Sequence, residues 1–208
     1  MFTRVTIIAC LVFAICPPAV SAQERGVYLG GAFALHVQPH GDTEPLGGNT
    51  WGGSVVVGKQ ISSRVGLEVE TYFSGAFSNE YSYNPRIGSV DVVARRRDTF
   101  FSVQLRSRVA SYLEPVVGVS YVLERPSRHA TVLGTPYFDD SETRSGLAAV
   151  GGLDAPIKLA SRVYLVPTFR VFLTTLRGAD DDVHDPLGWD TKTGRVAVRL
   201  GVGVRWGF

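Results

Sequence analysis

The last fourteen residues of the chain, Arg195 to Phe208, alternate without a fault. Val196, Val198, Leu200, Val202, Val204, Trp206 and Phe208 share one parity, and Arg195, Ala197, Arg199, Gly201, Gly203, Arg205 and Gly207 share the other. A β-strand points successive side chains to opposite faces, so one face is apolar and its reverse is Arg and Gly. The run exceeds the common strand length of about five or six residues. It also ends in two aromatics on the apolar face, with Phe as the last residue. These features predict a strand that crosses a bilayer as part of a closed barrel.

The other end of the chain agrees about compartment. Met1–Arg4 is a short basic start, Val5–Ile15 an apolar run, and Val20-Ser21-Ala22 a small-residue cleavage site. This is the pattern of a secretory signal, too short for a membrane helix and broken by Pro17-Pro18. A lipid anchor on Cys16 is disfavoured because Ala14-Ile15 lacks the small residue that should precede the cysteine. The predicted organisation is a signal peptide over 1–22 and one barrel domain over 23–208. Cys10 and Cys16 both fall in the signal, so no disulfide, thiol nucleophile or thiolate metal site is expected in the mature chain. A formal net charge of +2 gives no footprint for nucleic acid. Beyond residue 22 no apolar run approaches the roughly 20 residues of a membrane helix.

Strand-like segments recur at 26–38, 51–62, 65–77, 99–110, 113–124, 145–159, 163–177 and 195–208. Their number is even and their spacing regular. Tight turns are predicted around Ser63-Arg64, Ser111-Tyr112 and 160–162. The other connections, over 39–50, 78–98, 125–144 and 178–194, read as long loops rich in Gly, Pro, Asp and Asn. Short turns on one side and long loops on the other fit an outer-membrane barrel with its short turns in the periplasm.

Alternation alone does not say which face meets lipid, since a small soluble periplasmic barrel also alternates. The polar parity decides it. Tyr28, Gly30, Ala32, Ala34 and His36 on the first strand, or Gly146, Ala148, Val150, Gly152 and Asp154 on the sixth, would make a poor soluble surface. They suit a lumen with little room for side chains. The opposite faces carry Val27, Leu29, Phe33 and Leu35, then Val65, Leu67, Val69 and Phe73, then Phe101, Val103, Leu105 and Val109, then Val117, Val119, Tyr121 and Leu123. So many large residues would overfill a narrow interior and suit lipid instead. Trp51, Tyr112, Tyr164, Trp206 and Phe208 are candidate interfacial girdle residues.

On these residues the chain resembles the small outer-membrane β-barrel family of Gram-negative bacteria, which includes OmpX and the transmembrane domain of OmpA. The fold class this implies is all-β: an eight-stranded antiparallel up-and-down transmembrane β-barrel. The stretch Val198–Phe208 is similar to the C-terminal signal read by the barrel-assembly machinery. The resemblance implies Val204, Trp206 and Phe208 as recognition positions. The chain ends with the predicted barrel, so a peptidoglycan-binding domain like that of full-length OmpA is not expected. The resemblance also implies the cell outer membrane as location, with outer-membrane lipid and lipopolysaccharide as neighbours; no extracellular partner is indicated.

Parity further sends Glu68, Glu70, Glu114 and Asp154 into the lumen with Arg106, Arg108, Lys158, Arg170, Arg199 and Arg205. Buried charges persist when paired, so an ion-pair network across the lumen is expected; rearrangement of those pairs would instead make a narrow channel. His129, Thr131, Asp139, Asp140 and Glu142 invite comparison with a lipid A deacylase, but their spacing is loose and Thr stands where Ser is wanted. Asp180, Asp181, Asp182, His184, Asp185 and Asp190 concentrate acid in the last long connection, with a spacing that matches no defined cation loop. Arg95, Arg96 and Arg97 are candidates for lipopolysaccharide phosphate contacts. The expected function is thus non-enzymatic, structural or surface-interacting through the long loops, with no cofactor, metal or catalytic residues. A narrow channel, a lipid-modifying enzyme and a soluble periplasmic ligand-binding barrel are the alternatives.

Overall fold

A computed structural model describes residues 26–38, 48–83, 90–110, 112–132, 135–141, 143–177 and 194–207. Eleven strand segments occur: β1 (Val27–Gln38), β2 (Gly48–Gln60), β3 (Val65–Ser74), β4 (Phe77–Tyr83), β5 (Val90–Ser107), β6 (Glu114–Val132), β7 (Thr135–Ser141), β8 (Arg144–Asp154), β9 (Ile157–Ala160), β10 (Val163–Arg177) and β11 (Gly194–Gly207). Every pairing is antiparallel. Eight of the segments close a ring in the order β1-β2-β3-β5-β6-β8-β10-β11 and back to β1. Closure gives each backbone N–H and C=O a partner, the condition for strands to survive in hydrocarbon.

The other three segments continue staves of the ring. β4 prolongs β3 past a break at Gly75-Ala76 and pairs with the upper half of β5. β7 prolongs β8 upward along β6. β9 follows Ala155-Pro156, where the ring nitrogen of proline has no N–H to give to the ladder, and it pairs with the start of β10 through a register shift. The barrel thus has eight staves.

The start of β1 and the end of β11 lie on the side of the short turns. Tyr28 pairs with Gly207, and Gln60 N–H donates to Gly26 O at 3.0 Å. Ser62 closes the first turn, its hydroxyl accepting from Arg64 N–H at 3.3 Å and Val65 N–H at 3.1 Å, a local geometry that short hydroxyl side chains favour.

Two of the four expected long loops are largely strand. Over 78–98 the chain forms most of β4 and the first half of β5; over 125–144 it forms the last eight residues of β6 and all of β7. The turn-rich composition suggested loops, but the period-two pattern runs on through Val90, Val92 and Ala94 and through Arg128 and Ala130, all inward. A four-stranded sheet, β4-β5-β6-β7, therefore rises from one side of the barrel. The connections around 39–47 and 178–193, including the acidic cluster from Asp180 to Asp190, lie outside the described residues, as do residues 1–25.

The outer face carries the apolar residues. Phe33, Trp51, Val55, Val69, Phe73, Val103, Leu105, Val117, Val119, Leu173, Val202 and Val204 are all exposed. On β6 the apolar outward row runs from Pro115 to Leu123, about nine residues or roughly 30 Å along the strand, which a tilt of about 40° brings near the 25 Å height of a lipid-facing band. Phe33 and Trp51 stack at 5.1 Å on that surface, and Tyr112 and Trp206 are exposed nearer the short turns. Tyr164, expected in a girdle, instead points inward and is buried; its parity within β10 matches Val166 and Arg170, which also face the lumen.

Candidate functional site: the filled lumen and its outer rim

Inward parity on eight staves brings residues distant in sequence into one small volume. Near the short turns, Arg205 reaches Glu68 at 2.9 Å, Glu114 at 3.1 Å and also Asp154. Arg106 meets Glu114 at 2.7 Å and Glu68 at 3.8 Å. Arg108, just beyond β5 and half-buried, meets Glu114 at 3.0 Å. Tyr28 O–H donates to Glu68 at 2.6 Å, and its ring lies 4.7 Å from the Arg106 guanidinium. Gly58 makes this possible, because a Cβ there would collide with the Tyr28 ring.

One layer higher, Arg170 binds Asp154 at 2.5 Å and donates to Gln104 Oε1 at 3.1 Å. Gln104 in turn donates to Glu70 at 2.9 Å, and Glu70 receives Arg199 at 2.5 Å. With Gln60 accepting from Arg106 at 3.2 Å, every stave contributes at least one member. Such a network is a set of cross-braces: each desolvated charge has an opposite partner, without which its burial would be prohibitive.

Nine of the ten residues expected in the lumen network are joined this way. Lys158 is not. It is exposed on β9, beyond the Ala155-Pro156 break, where the pairing with β10 shifts register at the rim. Strict counting of parity from Asp154 carried it inward; the proline break removes the basis for that count.

Above the charges lies an aromatic layer. His36, Tyr72, Phe100 and Phe172 are each almost fully buried, with His36 5.8 Å from Tyr72 and 5.3 Å from Phe100, and Phe100 4.7 Å from Phe172. Arg199 joins the two levels, its guanidinium 4.5 Å from the Tyr72 ring. Above these rings, Arg96 contacts Asp98 at 3.2 Å and Glu124 at 3.3 Å, donates to Gln38, and packs 4.4 Å over Phe77.

Sequence reasoning placed Arg96, Asp98 and Glu124 in or beside loops and missed this second cluster. The available signal was the unbroken alternation of 90–107 and 114–132. The cavity among Glu70, Arg170, Arg199 and Arg205 is about 30 Å3, room for roughly one or two water molecules. Near Gln38, Asp98 and Glu124 it is about 10 Å3.

The remaining candidates fall on the outside. Arg95 and Arg97 are exposed, unlike Arg96 between them. His129 is exposed on the raised sheet; its backbone lies opposite Asp139 and two positions from Thr131. Glu142 and the side chains of Asp139 and Asp140 lie outside the described residues, and no described hydrogen bond joins His129 to Thr131. Groups of three or more His, Cys, Asp or Glu poised for a metal are absent among the described residues. Val204 and Trp206 are exposed on the outer face of β11; Phe208 lies outside the described residues.

Comparison with known proteins agrees with this architecture. The family model described as outer membrane protein beta-barrel domain matches residues 6–203. No curated protein matches the sequence. Among solved structures, a major outer membrane protein from Thermus thermophilus aligns with 12% identity and TM-score 0.52, covering 88% of this chain and 99% of that one. The attachment invasion locus protein Ail of Yersinia pestis aligns with 10% identity and TM-score 0.48, over 88% and 97% of the two chains. OprG from Pseudomonas aeruginosa gives 10% identity and TM-score 0.47 over 90% and 99%. At such identities the likeness is one of fold alone.

Proposed function

This chain belongs to the outer-membrane protein β-barrel domain family, and from that premise we propose that it is a sealed, non-enzymatic barrel that holds a β-sheet platform outside the cell. Its location is the outer membrane. The observation that carries the proposal is the filled lumen: an ion-pair network touching all eight staves, capped by His36, Tyr72, Phe100 and Phe172. A narrow eight-stranded barrel has barely room for its own side chains, and here they occupy it. The rigid body then serves as a mount, and surface segments on such a scaffold are where binding functions concentrate.

In this reading the first 22 residues are a cleaved export signal and residues 23–208 form the barrel domain. The short turns face the periplasm. Val204, Trp206 and Phe208 present the apolar face of the last strand to the barrel-assembly machinery during insertion. Residues Val204 and Trp206 support this through their outward exposure beside the ring-closing pair of β1 and β11.

Planar-bilayer recording tests the sealed lumen. Protein shown to be folded by its heat-dependent shift on SDS gels should leave the bilayer current at baseline. Reproducible unit conductance steps from that same folded preparation would replace the mount with a channel.

A further inference from the structure

The raised sheet meets the lipid belt at a row of cations. Arg97 on β5 lies directly opposite Arg125 on β6. Both point outward and are exposed, and so is Arg95, two positions along the same face and flanked by Ser78 and Ser127. Side chains directly opposite on an antiparallel pair have Cβ atoms about 5 Å apart, where like charges repel. No ion pair relieves these three among the described residues. The carboxylates next to them along β5 and β6 cannot do it, because alternation turns Asp98 and Glu124 inward onto Arg96; Glu80 shares the outer face, opposite Val93, and makes no ion pair with Arg95 among the described residues. Asp91, farther out on the same face, accepts a hydrogen bond from Ser82 at 2.6 Å.

The rows below are different. Thr99 and Leu123 come next, then Phe101 and Tyr121, directly paired and exposed, with Phe73 beside Thr99 on β3. Arg97 and Arg125 thus share one row, with Arg95 in the next row outward, above a face that turns apolar at Leu123, Phe101 and Tyr121. A ligand matched to both halves is anionic at its head and hydrocarbon below. Guanidinium binds phosphate through paired N–H donors, and charge-assisted bonds of that kind are about twice as strong as neutral ones.

We propose that Arg95, Arg97 and Arg125 form a site for the phosphates of a phosphorylated glycolipid in the outer leaflet, whose acyl chains lie over Phe101, Tyr121 and Leu123. The proposal rests on the outer-membrane placement and adds a specific site to it. The anion removes the repulsion between Arg97 and Arg125 and anchors the base of the raised sheet at the membrane surface.

Native mass spectrometry of the folded chain in neutral detergent micelles, with bisphosphorylated lipid A as probe, tests the site. Wild-type protein should retain lipid A, and R97Q/R125Q should weaken retention at least tenfold. R97K/R125K should fall between, since Lys supplies charge without the planar fork. K59Q, at the opposite end of the barrel, should bind as wild type does. Lipid A stripped of its phosphates should bind wild type and R97Q/R125Q equally weakly. Equal retention of intact lipid A by wild type and R97Q/R125Q would sink the proposal. So would equal retention of the stripped lipid by wild type, or stronger capture of a sulfated polysaccharide than of lipid A. A heat-dependent gel shift on the same samples separates the two levels: its loss in wild type refutes the membrane barrel, while its persistence with unchanged lipid binding refutes the site alone.

Discussion

The barrel body and the sheet above it share strands but invert each other's chemistry. Along β5 the outward residues of the body are Phe101, Val103 and Leu105, and the inward ones are Ser102, Gln104 and Arg106. In the raised half the outward residues include Asp91, Arg95 and Arg97, while Val90, Val92 and Ala94 turn inward and are buried. β6 switches at the matching height, from Tyr121 and Leu123 to Arg125, Ser127 and His129 outside. Pairing and period continue unchanged along β5 and β6; only the surrounding medium differs. The lesson is that period-two alternation reports a strand, while the sense of the alternation reports its solvent.

Breaking the body's polar interior should have the largest effect. Asp154→Ala removes the shared partner of Arg170 and Arg205, and stranding buried charges in this way costs about 3–5 kcal/mol. The urea midpoint of the micelle-bound protein, followed by the gel shift, should fall accordingly; a midpoint unchanged from wild type would show that Glu68 and Glu114 suffice for Arg205.

The inversion itself is tested by placing one residue type at two heights on the outside of β6. Val119→Arg, in the middle of the lipid belt, should cost about 2–4 kcal/mol, whereas His129→Arg in the raised sheet, exposed and opposite Val93, should change stability by less than about 0.5 kcal/mol. Equal costs in the same urea titration would place the membrane boundary elsewhere.

Glycine packing in the body predicts a smaller loss. Gly58→Val forces a side chain against the Tyr28 ring, an overpacking of roughly 1–3 kcal/mol, again read from the urea midpoint. Smallest for the barrel as a whole is Val92→Asp, which puts a charge in the apolar interior of the raised sheet. Limited proteolysis should show faster cutting there while the unfolding midpoint of the body stays within about 0.5 kcal/mol of wild type. A large fall in that midpoint would mean that sheet and body unfold as one unit.

Much of this was legible from the chain. The faultless alternation of Arg195–Phe208 identified β11, and parity alone carried Glu68, Glu70, Arg106, Glu114, Asp154, Arg170, Arg199 and Arg205 to the lumen side. The raised sheet was harder to see because its segments carry turn-forming residues, such as Ser78, Asn79 and Ser82 in β4 and Pro136 and Asp139 in β7, whose local preferences compete with the strand pattern. There, pairing with the long neighbours β5 and β6 prevails over local propensity. For the same reason Arg96 could not be told from Arg95 and Arg97 without knowing that the strand continues through all three.

The sequence by itself determined the strand period, the two faces of each body strand and the set of charges turned away from lipid. Those are properties of a side chain and its near neighbours, fixed by the pleat of an extended backbone. The tertiary structure alone decided which charges meet. Glu70 and Arg199 are 129 positions apart and Arg205 and Asp154 are 51 apart. Their contacts depend on the stagger with which eight staves close, a global quantity that no single strand carries.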